Sequence, residues 1–283
     1  MRLVLQISVL AILAWNSNCE EPHGKKILFL LPLATKSHCN VFEPLIDGMR
    51  TKGHHVTVIW PLNKKIPSPP NMIEISPVSL DEFVGQANPF QARTMGKWAA
   101  MASWESMFLR TCKQFYEHEE IEKMIQTPQK FDLIIINGML NHCVLGFLHK
   151  FNAPFIYLTT LPSPNFVSEI VGNHFPHSFI PSPFNGFSDE MTFLQRVINS
   201  VTQTIVKVIV NFMYVPKMEA LYKTYIPDAP DLTDIEKNVS MIFMNTHFSM
   251  TYPRPLLPDV IEVGGMHCKP PNPLPQVSLK TFY

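Results

Sequence analysis

Two histidines stand where an α/β chain could use them. His38 lies five residues past the apolar run 26–33 and just ahead of a helical pattern. His142 closes the segment 137–142, which follows a second apolar run, FDLIIIN. In open α/β sheets ligands bind outside the carboxyl ends of the strands, so the loops 34–39 and 137–142 are where chemistry is expected. A neutral imidazole at His38 could take a proton from a bound hydroxyl near neutral pH. Position alone leaves a second reading open, that of a plain polar loop residue.

Other candidates carry less. Ser37 adjoins His38, but neighbouring side chains in a loop seldom converge into a dyad. His54 and His55 sit at a helix–strand junction and read as structural. His174 and His177 fall in a proline-rich loop, where they could line a pocket; as metal ligands they lack a carboxylate or thiol companion. The chain has no G-x-G-x-x-G after its first strand, no Walker loop and no G-x-S-x-G elbow. It therefore encodes neither a familiar phosphate cradle nor a hydrolase nucleophile. Gly264-Gly265 is a turn signal.

The elements that must position these residues follow from periodicity. KILFLLPL reads as a strand buried on both faces. Asn40 could cap a helix, with Glu43 as its reciprocal partner. Val41, Phe42, Leu45, Ile46 and Met49 then recur at helical spacing until Gly53 ends the pattern. HVTVIW, FDLIIIN, FIYLTT, VSMIFMN and the run 260–263 read as further strands, and residues 139–151 as a helix. Strands alternating with helices give an α/β fold, doubly wound on a mostly parallel sheet. Residues 80–126 are helical in tone and rich in aromatics. Residues 161–190 read as a long ordered loop. In the helical stretch 191–224, Asn199, Gln203, Lys207 and Asn211 draw a polar stripe opposite an Ile- and Val-rich face. That pattern describes an amphipathic helix packed on the domain; the alternative is a helix resting on a lumenal membrane surface.

Composition narrows the partners. Lys+Arg and Asp+Glu are both 23, so nothing favours a nucleic acid. Only 16% of residues are charged and 46% are hydrophobic, which suits apolar small molecules or peripheral membrane contact. Arg2 followed by an apolar run to Trp15, with small residues near Cys19, reads as a cleaved signal peptide over 1–19 and places the chain in the secretory pathway or endoplasmic reticulum lumen. Cys39, Cys112, Cys143 and Cys268 show no paired spacing and read as mostly buried thiols rather than a disulfide frame or a zinc site. Asn238-Val239-Ser240 is one possible glycan acceptor.

The stretches ILFLLPLATKSHCNVFEPLIDGMRTKGHHVT and FDLIIINGMLNHCVLGFLHKFNAPFIYLTT resemble the opening and the next core motif of the membrane-bound animal UDP-glycosyltransferases, closest to insect-type members. NPLP after Gly264-Gly265 resembles that family's interdomain linker. The resemblance implies the N-terminal, Rossmann-like half of a GT-B fold: an acceptor-binding domain over 20–268, a linker over 269–283, and a donor-binding domain not included in the chain. It implies transfer of a hexose from a UDP-sugar co-substrate to small lipophilic acceptors, with inversion and no tightly bound cofactor or metal. His38 matches the family's general base. The family's second residue is an acid that bonds this histidine. Insect-type members carry it at the position of His142, the placement preferred here, and vertebrate members at that of Asn137; neither is acidic in this chain. The competing expectation is a non-catalytic lumenal protein that binds apolar ligands or associates with full-length relatives.

Overall fold

The structure is a computed structural model that describes residues 24–63, 67–85, 94, 96–138, 141–161 and 165–270. The segments expected to be a leader, 1–19, and most of a linker, 271–283, lie outside the described residues.

Seven strands form one parallel sheet: β1 (Lys26–Leu30), β2 (His55–Ile59), β3 (Met72–Ile75), β4 (Leu133–Asn137), β5 (Phe155–Thr159), β6 (Val239–Met244) and β7 (Val260–Glu262). Their order is β3-β2-β1-β4-β5-β6-β7, a Rossmann-like arrangement with β1 at the point where the order reverses. β1 pairs with β2 on one side and β4 on the other. Its side chains alternate between two apolar layers: Ile27 and Phe29 face one, Leu28 and Leu30 the other. Burial on both faces explains why the strand reads as an unbroken apolar run rather than an alternating one. β3 did not stand out in the sequence because only Met72 and Ile75 of its four residues are buried.

Helix α1 (Lys36–Thr51) covers one layer. It begins a turn earlier than the Asn40 cap signal predicts: Cys39 N–H already donates to Thr35 C=O at 3.1 Å. Pro44 lies inside it, and the Asn40 carbonyl that loses an amide partner there belongs to an exposed residue that water can reach. His38 is thus in the first helical turn, not in a loop. Gly53 closes the helix at φ +86°, a conformation that favours glycine.

The other layer is built by α2 (Leu80–Gly85), α3 (Lys97–Tyr116), α4 (Glu119–Gln126), α5 (Leu145–His149), the short α6 (Asn165–Ser168), α7 (Phe193–Ile209), α8 (Val215–Tyr225) and α9 (Leu232–Glu236). A π turn over Val210–Tyr214 joins α7 to α8. The predicted helix 139–151 is shorter: a 3-10 turn, His142–Val144, leads into α5. Gly146 lets α5 approach α8, since a Cβ there would lie 2.4 Å from the Tyr222 ring.

Two expectations are corrected. Cys112 and Cys143 form a disulfide, not two buried thiols; of the other described cysteines, outside this bond, Cys39 is buried as expected and Cys268 is exposed. The bond ties α3 to the connection after β4, across 31 residues that carry no motif to announce it. Tyr116 reinforces the joint by donating its hydroxyl to Cys143 C=O at 2.6 Å.

The second correction concerns α7, which is turned opposite to its apolar pattern. Asn199 (0% exposed) and Gln203 (4%) are buried, while Phe193 (83%) and Phe212 (76%) are exposed, as are Val201, Ile205 and Val208. The loop 173–190 lacks regular backbone pairing, and the polar stripe supplies partners for it. Asn199 Oδ1 accepts from Ser182 N–H at 2.7 Å, and its Nδ2 donates to His177 C=O at 2.7 Å and Ile180 C=O at 2.9 Å. Arg196 donates to Met191 C=O and Ser178 C=O, and Lys207 pairs with Glu169. Only Asn211 of the four stripe residues is exposed. Among the described residues no helix is long and apolar enough to cross a membrane.

Candidate functional site

The connections from β1 and β4 leave the sheet at the reversal point, and their ends bring His38 and Asn137 together. Asn137, the last residue of β4, is fully buried. Its Nδ2 lies 3.2 Å from His38 Nδ1 and donates to Leu33 C=O at 3.3 Å. Asn141 fastens the same peptide: Oδ1 accepts from Leu33 N–H at 3.3 Å and Nδ2 donates to Leu33 C=O at 3.4 Å. Burial lowers the pKa of His38 below the ordinary histidine value. The positive end of the α1 dipole acts in the same direction. Both effects favour the neutral ring.

His142 sits in a different environment. It is buried, with its ring edge-on to Tyr214 at 5.4 Å between centroids. Its Nε2 is 3.7 Å from Glu236 Oε1, and Tyr157 donates to the same carboxylate oxygen at 3.2 Å. Burial lowers His142 to about 4 and raises Glu236 to about 7. Desolvation thus favours the neutral form of both partners. The side chain brought to the His38 ring is Asn137 rather than His142. Glu236 and Tyr157 could not be linked to His142 from sequence, because they come from α9 and β5.

A cavity of about 960 Å³ opens on the α3–α7 side of the sheet. Its wall includes Trp104 and Phe108 from α3, Phe175 and Phe184 from the proline-rich loop, and Tyr214 and Gln203. From sequence, the proline-rich loop is expected to line a pocket through His174 and His177. Neither His174 nor His177 lines it, and neither does His38. Gln203 Nε2 is buried there without a hydrogen-bond partner among the described residues. A buried donor of this kind is costly unless something accepts from it. Sequence inspection placed Gln203 on the helix's polar stripe but not against a cavity.

The last sequence-derived site, Asn238, is exposed; its Nδ2 donates to Asp234 C=O at 3.0 Å. No group of three or more His, Cys, Asp or Glu side chains that could hold a metal occurs among the described residues.

These features define a Rossmann-like α/β domain with a polar pair at the sheet's reversal point and a largely apolar cavity on its α3–α7 side. The profile of the family described as "UDP-glucoronosyl and UDP-glucosyl transferase" matches residues 74–282, and the chain belongs to that family. It is similar to UDP-glycosyltransferase UGT4 of Dactylopius coccus, at 29% identity over 89% of this chain and 51% of that protein. It is also similar to human UDP-glucuronosyltransferase 2B7, at 25% identity over 92% of this chain and 51% of that one. The chain spans about half the length of the curated relatives it matches. Among solved structures, Medicago truncatula UGT71G1 complexed with UDP-glucose aligns with a TM-score of 0.45 and 13% identity, over 92% of this chain and 56% of that chain.

Proposed function

We propose that this chain forms the acceptor-binding part of a UDP-sugar-dependent glycosyltransferase that takes small lipophilic acceptors, as the N-terminal half of a GT-B enzyme. The observation that carries the reading is the cavity, apolar over most of its wall and holding one buried, unpartnered amide donor in Gln203. Such a site recognises an apolar body through burial and one oxygen through a hydrogen bond. In this proposal the UDP-sugar is held by a second domain, and His38 lies on the acceptor side of the crevice. The test is titration of the chain with apolar phenols, read by quenching of Trp104. Gln203→Leu should weaken binding of ligands with an acceptor oxygen by roughly tenfold, and Trp104→Ala should remove most of the quench. No saturable binding in the parent chain would refute the reading. Transfer itself is tested by joining the chain to the donor-binding domain of an active relative and following sugar incorporation from a UDP-sugar.

A non-catalytic binding role is the second reading, in which the chain holds apolar ligands or associates with full-length relatives. It is favoured by Asn137 standing where a carboxylate beside His38 would be needed. We also propose a lumenal location with glycosylation at Asn238. The disulfide between Cys112 and Cys143 supports an oxidising compartment, and the exposed Asn238 is open to modification. The outward apolar face of α7 supports peripheral contact with a membrane surface. Protection from protease in intact microsomes and a glycosidase-sensitive mass would support this; a cytosolic, unprocessed chain would refute it.

A further inference from the structure

The backbone of Leu33 decides which way the Asn137 amide faces. A carbonyl oxygen can only accept, so the amide atom 3.3 Å from Leu33 C=O must be the donor Nδ2. The opposite orientation would set Oδ1 against that carbonyl. The Leu33 peptide is itself fixed, because Asn141 spans it with Oδ1 on the N–H and Nδ2 on the C=O. The two hydrogens of Asn137 Nδ2 therefore serve two acceptors, Leu33 C=O and His38 Nδ1. If Nδ1 accepts, a neutral imidazole carries its proton on Nε2. Nδ1 is the only ring atom of His38 with a hydrogen-bond partner among the described residues, which leaves Nε2 for a ligand.

We infer that Asn137 holds His38 in the tautomer protonated on Nε2, so that the ring offers the crevice a donor rather than a base, and that the site takes acceptors whose attacking oxygen arrives already ionised, namely carboxylates and acidic phenols. The ligand class rests on the acceptor-site reading above; the tautomer does not. With a carboxylate, the oxygen lone pair forms the bond to the anomeric carbon while the bond from that carbon to the UDP oxygen breaks. UDP leaves with the electron pair, and no proton needs to move. With a neutral alcohol, the hydroxyl proton must go somewhere, and an Nε2–H ring has no lone pair to receive it. A carboxylate in place of Asn137 would act the other way, accepting from Nδ1–H and leaving Nε2 bare. In a catalytic triad, the change from Asp to Asn costs about 10⁴-fold in turnover through this tautomer effect. Asn137 is thus a positioning residue that sets the chemistry of His38 without touching the ligand.

The experiment is long-range proton–nitrogen correlation of the imidazole rings in the full chain labelled at histidine nitrogen, at a pH above the ordinary histidine range. His38 is assigned by the signal lost in His38→Gln. The expected spectrum shows His38 with Nδ1 unprotonated and Nε2 protonated, and a proton moved to Nδ1 in Asn137→Asp. A parent chain with the proton on Nδ1 would overturn the inference, whatever the variant does. The shift of the His38 Nε2 signal on titration then compares naphthoate with naphthylmethanol. Naphthoate should bind at least roughly tenfold more tightly, with the preference reduced in His38→Gln. Equal or tighter binding of the alcohol would overturn the ligand class. Binding of neither would remove the acceptor-site reading and the ligand class with it, while the spectrum alone decides the tautomer.

Discussion

Replacing Asn199 by Leu keeps the approximate size of the side chain and removes its polarity. In the structure that change strands Ser182 N–H and Ile180 C=O, which are buried, and His177 C=O, which is partly so. A buried group left without its partner costs about 1–3 kcal/mol. Two buried groups and one partly buried one should therefore destabilise the chain by about 3 kcal/mol or more, allowing for relaxation of the loop. The opposite face supplies the control. Val201 is exposed, so Val201→Asp should change stability by no more than about 0.5–1 kcal/mol, including the lower helix propensity of Asp. The assay is urea unfolding followed by circular dichroism, with amide exchange at Ser182 as a local readout. Asn199→Leu should also weaken ligand binding, since Ile180 and Phe184 on the tethered loop line the cavity. The reverse order, Val201→Asp unfolding the chain while Asn199→Leu is tolerated, would show that α7 packs by its apolar face and would refute the inverted orientation.

Other outcomes follow from the same structure. Replacing Cys112 and Cys143 with Ser should cost about 2–4 kcal/mol, and alkylation before and after reduction should show both thiols protected in the parent chain. Glu236 has a raised pKa in the fold, so its contribution is fully present below about 4.5 and is lost as pH rises through about 7. Glu236→Gln should accordingly gain stability over the parent as pH rises through that window. His142 has a depressed pKa, so its contribution is present above about 6.5 and is lost as pH falls toward about 4. His142→Gln should flatten the acid limb of a urea-midpoint profile, and an unchanged profile would refute the buried placement of the ring. Phe212→Asp should lower flotation with zwitterionic phospholipid vesicles without lowering thermal stability; equal flotation would remove the proposed membrane contact.

The sequence by itself determined six of the seven strands, all but β3. Runs such as KILFL and LIIIN are continuous because helices cover both faces, and a buried parallel strand has that signature wherever it occurs. The same pattern placed His38 and Asn137 near the carboxyl ends of recognisable strands, Asn137 as the last residue of β4 and His38 in the first turn of the helix that follows β1. Tertiary structure decided the rest. The partner of His38 depended on whether the backbone after β4 presents Asn137 or His142 to α1, and hydrophobic periodicity does not encode the direction of a single side chain. The pairing of Cys112 with Cys143 required α3 to pack against the turn after β4, a contact with no local signal. The orientation of α7 shows the limit most clearly. Periodicity locates a polar stripe and an apolar face, and water exposure is the usual fate of the stripe. Here the proline-rich loop leaves backbone groups that need partners, and Asn199 satisfies Ser182, His177 and Ile180 from inside the fold. That demand comes from a segment distant in sequence, so it became visible only once loop and helix were placed together.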